Sequence, residues 1–329
     1  MKKMKRLSHY EKVFIVMLVS LFVFFSAGRV VNADDYPNKP INLIIAMAPG
    51  GPVDQIVRNI TPVMEKVLKT SIVIQYKLGG GGTIGYLAAS REKPDGYTIG
   101  AYAASLFTQQ YVKTGGVKIG ALDFIANYVN FDNCLAVPAN SPFKTLKELL
   151  DFAKKNPGMV TIANSGTGAS MHLPAAALER EAGVKFTHVP TEGESSALMA
   201  MLGGHVSAAS LSIGGIAEYI KAGKVRVLNL NSEKRLAAFP DIPTLKEQGI
   251  DLIYENPGGL FGPKGIPENR LKILSDAVGI GFQSDQFQKF MQTVGFSTVF
   301  YNYKQTSEMA KAYDVKVRDL CKLVGLYRE

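Results

Sequence analysis

An α/β fold in two domains, each a mostly parallel sheet flanked by helices, is what this sequence predicts, and three observations carry the expectation. Residues 41–68 read as strand, glycine turn and helix; the same alternation continues to residue 103; and a second alternating series begins after Pro157-Gly158. A chain of 329 residues is long for one domain and comfortable for two, and 47% hydrophobic with 20% charged residues is ordinary globular chemistry.

The first strand is Ile41 to Met47, an almost unbroken apolar run suited to a strand buried on both faces. Pro49, Gly50, Gly51 and Pro52 end it, and Val53, Ile56, Val57, Ile60, Met64, Val67 and Leu68 follow at helical spacing. Glycines at such a turn let a ligand approach the backbone, and the free amides of the helix start favour an anion. A tight connection that needs small residues for geometry alone is the other reading. A β-branched residue at Gly51 is expected to occlude the turn, and to be strained there if the turn needs a positive φ.

Ser71 to Leu78 reads as the next strand, followed by Gly79 to Gly85 and a helix to about Lys93; Pro94-Asp-Gly-Tyr97 is a turn and Thr98 to Ala103 a strand. Gly80 to Gly85 matches GxGxxG formally. The strand after it, Thr98 to Ser105, offers no acid for a ribose, so a second glycine turn presenting amides is the better reading than a dinucleotide site. Asp123 to Val137 reads as one long extended segment.

Thr145-Leu-Lys-Glu148 is a capping box that opens a helix to about Asn156. The second series is then strand Val160 to Ala163, loop Asn164 to Ser170, helix Met171 to Ala182 with Gly183 as its C-cap, and strand Lys185 to Val189. Turn Thr191 to Glu194, helix Ser195 to Leu202, strand Val206 to Leu211, helix Ile213 to Ala222 and strand Val225 to Leu230 complete it. Leu252 to Phe261 reads as extended, and two long amphipathic helices, Glu268 to Phe290 and Lys304 to Leu323, finish the chain.

The N-terminus differs in kind. Lys2, Lys3, Lys5, Arg6 and Lys12 precede a nearly all-apolar run of 15 residues from Val13 to Ala27, short for a membrane span, and Val31-Asn-Ala33 supplies small residues before Asp34-Asp35. This predicts a cleaved signal peptide over residues 1–33, export to the periplasm, and no stable membrane insertion afterwards. Six Lys or Arg and one acid leave with residues 1–33, so the formal charge of +9 falls to +4, and no basic stripe for nucleic acid remains. Cys134 and Cys321 could form one disulfide or stay as two buried thiols. His172, His188 and His205 lack metal spacing, there is no GxSxG elbow, and Ser170 and His172, two apart at a helix start, do not face each other as nucleophile and base. His172 reads as packed or ligand-lining. No catalytic residue, metal or cofactor is assigned.

Taken in order, these marks resemble the Bug (TctC-like) family of periplasmic solute-binding proteins, the extracytoplasmic receptors of tripartite tricarboxylate transporters. They are Tyr36-Pro-Asn-Lys-Pro40, Pro49-Gly-Gly51 with Asp54 and Arg58, Gly79 to Gly85, Pro94-Asp-Gly-Tyr-Thr98, Asp123-Phe124 and Ser141-Pro-Phe-Lys-Thr-Leu146. They continue through Asn156-Pro-Gly158, His172-Leu173, Gly203-Gly-His205, Phe239-Pro-Asp-Ile-Pro-Thr244, Glu247-Gln-Gly249 and Gly262-Pro-Lys-Gly-Ile-Pro267. The resemblance implies a type II-like, two-domain Venus flytrap with domain 1 at 34–130 and 252–329 and domain 2 at 131–251. It implies a small organic anion, a carboxylate, held in the interdomain cleft by glycine-rich loops and delivered to tripartite transporter membrane subunits or to a sensor. A monomeric, non-enzymatic receptor is expected; an exported hydrolase or transferase using the same cleft is the alternative.

Candidate ligand-binding residues are Ala48, Pro49, Gly50, Gly51 and Asp54; Gly80, Gly81, Gly82 and Thr83; and Ser165, Thr167, Ala169, Ser170, His172, Thr191 and Ser210. The chain departs from the family's Pro-Tyr-Lys-Gly at Pro190-Thr-Glu-Gly193, where an aromatic wall is lost and a charge inverted. It also has Ser207 where an acid is usual, and Asn164 and Ala169 where serines are usual. Glu192 would repel a second ligand carboxylate if it faced the cleft.

Overall fold

The computed structural model describes residues 36–112 and 115–328, so the expected signal segment lies outside the described residues. The chain alternates β1 (Ile41–Ile45), α1 (Pro52–Leu68), β2 (Ile72–Tyr76), α2 (Thr83–Ser90), β3 (Thr98–Tyr102), α3 (Ser105–Val112) and β4 (Leu122–Asn130). It then runs through β5 (Asn133–Pro138), α4 (Leu146–Lys155), β6 (Val160–Asn164), α5 (His172–Glu181), β7 (Phe186–Pro190), α6 (Glu194–Leu202), β8 (Ala208–Ser212), α7 (Ala217–Lys221) and β9 (Val225–Leu230). It closes with β10 (Pro257–Pro263), α8 (Glu268–Gln283), α9 (Asp285–Val294), β11 (Ser297–Tyr301) and α10 (Tyr303–Leu323). All belong to one compact unit, Lys39–Glu329.

The strands form a six-stranded sheet ordered β11-β4-β10-β3-β1-β2 and a five-stranded sheet ordered β7-β6-β8-β5-β9. Both sheets are mixed. Parallel pairing is confined to β3-β1-β2 and β7-β6-β8, while β10 runs antiparallel between β3 and β4, and β5 antiparallel between β8 and β9. The chain passes from one sheet to the other between Asn130 and Asn133 and back between β9 and β10. The segment expected as one long strand is thus two strands, one in each sheet.

Each sheet buries both faces. Leu135 and Val137 of β5 pack with α4 and α5 through Leu149, Ala153, Ala175 and Leu178, whereas Cys134 and Ala136 face Ala197, Leu198 and Met201 of α6. In the first sheet, Tyr86, Tyr102, Phe107, Phe261 and Tyr313 join one aromatic cluster, with the Phe107 ring edge-on to Tyr313 at 5.0 Å. The Thr145 capping box forms as expected: its hydroxyl accepts from the Glu148 amide at 3.2 Å and the Glu148 carboxylate accepts from the Thr145 amide at 3.3 Å. Cys134 and Cys321 are both buried free thiols.

Candidate ligand-binding site

The loops that follow the parallel strands β1, β2, β3, β6 and β7 lead to one cavity of about 480 Å³, a size ordinary for a small-molecule site. The ends of β1, β2 and β3 contribute Ala46 to Ala48, the glycine loop from Gly79, and Ala103 with Ser105; the ends of β6 and β7 contribute Ser165 to Met171 and Thr191 to Ser195. This is the carboxyl-end placement that parallel α/β sheets impose, because the βα turns there expose helix starts and free amides.

Of the expected site residues, Ala48, Gly51, Gly80, Gly81, Gly82, Ser165, Ala169, Ser170 and Thr191 line this cavity. Pro49, Gly50, Asp54, Thr83, Thr167, His172 and Ser210 lie outside its lining, each for a local reason. Pro49, Gly50 and Thr167 project to solvent. The Asp54 carboxylate turns back on its own helix start, accepting from the Gly50 amide at 2.8 Å, from Arg58 Nε at 2.9 Å and from the Tyr76 hydroxyl at 2.6 Å. Thr83 spends its hydroxyl on the Gly80 carbonyl and the Gln109 side chain, and Ser210 is buried within β8 opposite Leu135. The lining also includes residues not expected, among them Met47, Leu78, Ser105, Phe131, Met171 and Glu194. Ser105 follows β3 as the glycine turns follow β1 and β2, so the strand-end rule could have found it. Nothing local marks Phe131, which reaches the cavity from the crossover between the sheets.

The first anion seat is narrower than expected. The Gly51 amide donates to the Ala48 carbonyl and the Gly50 amide to Asp54, leaving Val53 and Asp54 as the α1 amides that donate to no described residue. The positive φ of this turn falls on Gly50 at 75°, whereas Gly51 has φ −75°. The strain expected for a β-branched residue at 51 is therefore absent; a Cβ there would instead press to 3.1 Å from the Ala48 carbonyl oxygen. The second seat is stronger. Gly79 to Gly82 all have positive φ, a run that only glycines sustain without strain, and the Gly80 and Gly81 amides donate to no described residue.

The two halves meet closely around the cavity. A Cβ on Gly166 would lie 3.7 Å from the Gly81 Cα, one on Gly193 would lie 3.6 Å from the Ala48 Cβ, and the Thr108 hydroxyl donates to the Gly168 carbonyl. Further out, Arg180 donates to the Leu323 carbonyl at 3.0 Å and Lys221 to the Thr293 carbonyl at 2.9 Å. Glu192, exposed as turn charges usually are, nevertheless borders the cavity. Among the described residues no Lys, Arg or His lines it.

His172 acts behind this wall rather than in it. Its Nδ1 accepts from the Gly168 amide at 2.9 Å and its ring packs edge-on to His188 at 4.8 Å, so it shapes the loop that carries Ala169 and Ser170. With Nδ1 occupied in this way, it is not placed as a base for Ser170. Burial, with His188 adding, pushes its pKa down to about 4, against the pull of Glu179. Between that value and its ordinary 6.5 the unfolded chain binds a proton that the folded chain does not, so stability falls as pH drops through this window. The expected cost on going from pH 7.5 to 4.5 is on the order of 2 kcal/mol. Urea unfolding should show His172→Gln losing less stability than the wild type over that range, and equal losses would refute the assignment. Asp132 and Glu194, both pushed up by burial, act in the opposite sense but equally in both chains.

Two mixed α/β sheets joined by two crossing segments, with strand-end loops of both closing on one cavity, define a binding protein of the Venus flytrap class. A profile of the tripartite tricarboxylate transporter family receptor matches residues 56–326, and the chain belongs to that family of periplasmic solute-binding proteins, which are receptors and not enzymes. The UPF0065 protein in the gbd 5′ region of Cupriavidus necator is 32% identical over 296 residues, spanning 90% of each chain. The periplasmic binding protein BugD superposes with a TM-score of 0.84 at 28% identity, covering 89% of this chain and 100% of its own. MatC from Rhodopseudomonas palustris with bound malate shares the fold, with a TM-score of 0.80 at 23% identity over 87% of this chain and 99% of its own.

Proposed function

We propose that this chain is a periplasmic receptor that captures a small organic anion, a carboxylate, between domain 1 (34–130 and 252–329) and domain 2 (131–251). It delivers the ligand to tripartite tricarboxylate-type membrane subunits or to a sensor. The observation that carries the reading is the pair of domain 1 amide seats, Val53 at the start of α1 and Gly80 with Gly81 in the glycine loop, at a cavity that no basic side chain among the described residues lines. Preorganised amides at a helix start and in a glycine loop hold a carboxylate without a counter-cation, and their partial charges suit one anionic group better than three. Met47, Leu78, Val53 and Phe131 offer apolar contact to the remainder, so the ligand carries one anion in the domain 1 seat and a bulkier, less charged distal part.

Mass spectrometry of the small molecule released on denaturing the purified protein identifies the class, and a thermal-shift panel of mono-, di- and tricarboxylates ranks it. A ligand at 100 times its dissociation constant is expected to stabilise by about 2.7 kcal/mol. A clear preference for citrate-like tricarboxylates over every monocarboxylate would overturn the one-anion reading.

A further inference from the structure

The only charged side chains along the cavity among the described residues are Glu192 and Glu194. Glu194 is not a solvated surface acid. It is the first residue of α6, and one oxygen, Oε1, accepts from both the amide of Ser212 and its hydroxyl, the latter at 2.7 Å. Room for this carboxyl is kept by Gly215: a Cβ there would lie 2.9 Å from Oε1, 2.8 Å from Ser212 Oγ and 2.9 Å from Pro52 Cγ of the opposite half. The second oxygen, Oε2, accepts no hydrogen bond from any described residue, although Glu194 lines the cavity. The titratable groups nearby are Glu192 on the same turn, Cys134 on β5, and Asp132 in the crossover, which accepts from the Ser297 amide at 3.2 Å. None of these supplies a positive charge. Burial accordingly pushes Glu194 up to about 7, with the Ser212 bonds pulling the other way.

We propose that Glu194 sets specificity for a ligand that joins its carboxylate to a protonated amine or similar cationic N–H donor, a zwitterionic amino acid rather than a plain aliphatic acid. This rests on the reading that domain 1 amides hold the carboxylate. A plain acid would bring a further negative charge beside two glutamates with no cation among the described lining residues to offset it, whereas an ammonium placed against Oε2 forms a charge-assisted hydrogen bond and leaves the occupied cavity's ligand neutral. Ammonium binding favours ionised Glu194, so below about pH 7 it releases a proton.

The test is calorimetry on matched pairs that differ by the amine: aspartate against succinate, glutamate against glutarate, 4-aminobutyrate against butyrate, with butylamine as a carboxylate-free arm. In at least one pair the amino acid is expected to bind ten-fold or more tightly than its partner, with proton release at pH 6 seen as a dependence of the heat on buffer ionisation enthalpy. Glu194→Gln, which keeps an oxygen for the Ser212 donors, should weaken the amino acid ten-fold or more and strengthen the amine-free acid. Glu192→Gln, more exposed and without the Ser212 anchor, should change the preference less than three-fold. Equal binding of amine-free acids by the wild type, or a Glu194→Gln effect equal for both members of a pair, overturns the role of Glu194 and leaves the amide seats standing. Binding of butylamine with no acid bound overturns the amide seats and leaves Glu194 standing, and binding of none of these compounds overturns both.

Discussion

Gly81→Val is expected to lower ligand affinity by at least 100-fold while the protein still folds. Three effects act together at this residue. Its φ is 66°, a conformation that costs an ordinary L-residue about 1–2 kcal/mol and a β-branched one more, so the loop will relax away from its ligand-ready shape. A Cβ there would lie 2.8 Å from Nε2 of Gln109, a side chain 1% exposed that has little space to retreat, and 3.6 Å from the Cβ of Ala169 on the other half. The two γ-methyls would then wedge between the Gly79–Gly82 loop and the Ser165–Ser170 loop, where the halves approach closely. Losing one free amide and full closure together is worth more than about 2.7 kcal/mol, the equivalent of 100-fold. Calorimetry with the ligand recovered by mass spectrometry measures the effect. Gly120→Val is the control, since a Cβ at Gly120 meets nothing within 4 Å. Undiminished affinity in Gly81→Val would remove the second glycine turn from the site.

Phe131→Ala is expected to be the more damaging to stability, by about 3–5 kcal/mol, with a fall in Tm of roughly 5–15 °C. Phe131 is 2% exposed and stands where the chain first crosses between the sheets. Its amide donates to the Asn256 carbonyl at 2.8 Å, just before β10, so it ties one crossing segment to the other. Its ring sits edge-on to Phe296 with centroids 5.7 Å apart and lies so close over Gly258 that a Cβ there would be 2.4 Å from it. Truncation therefore leaves a void that backbone on one side and a ring on the other cannot readily fill, and the void opens into the ligand cavity. Denaturant unfolding of Phe131→Ala beside Phe131→Leu distinguishes this from a merely tolerant surface position; a loss below about 1 kcal/mol for the alanine variant would contradict the packing role.

Much of this architecture was legible because it is written in local chemistry. Thr145 and Glu148 are three residues apart and satisfy each other's backbone within one turn of helix, so no distant residue can change the outcome. The strands around Leu43, Ile74, Ile99, Ile162 and Leu228 are short apolar runs between turn residues, and they form as read. The helix α3 was not legible: residues Ser105 to Gln109 are buried consecutively, so polar Ser105, Thr108 and Gln109 interrupt the apolar stripe on which periodicity depends. The long helix expected to Phe290 breaks at Ser284, whose hydroxyl caps Phe287 and starts α9, and the edge strand β11 is half-buried with no clean alternation.

The amide seats divide in the same way. That Gly79 to Gly82 would form a permissive loop at a strand end follows from residues adjacent in sequence, and so does the family resemblance that orders the whole chain. Strand direction, and with it the mixed character of both sheets, depends on which distant segment pairs with which; hydrophobic period carries no information about that. The same holds for Asp54, whose carboxylate is drawn to Tyr76 across the β1–β2 connection and so leaves the cavity, and for Glu194, whose partner Ser212 lies eighteen residues on. The α/β alternation and the glycine turns with free amides follow from neighbouring residues alone, because propensity, capping and glycine conformation act over a few residues. Which of those turns face one another, which carboxylates enter the cavity, and that Phe131 joins the two crossings are fixed by the packing of distant segments, because these depend on distances between residues that no local interaction sets.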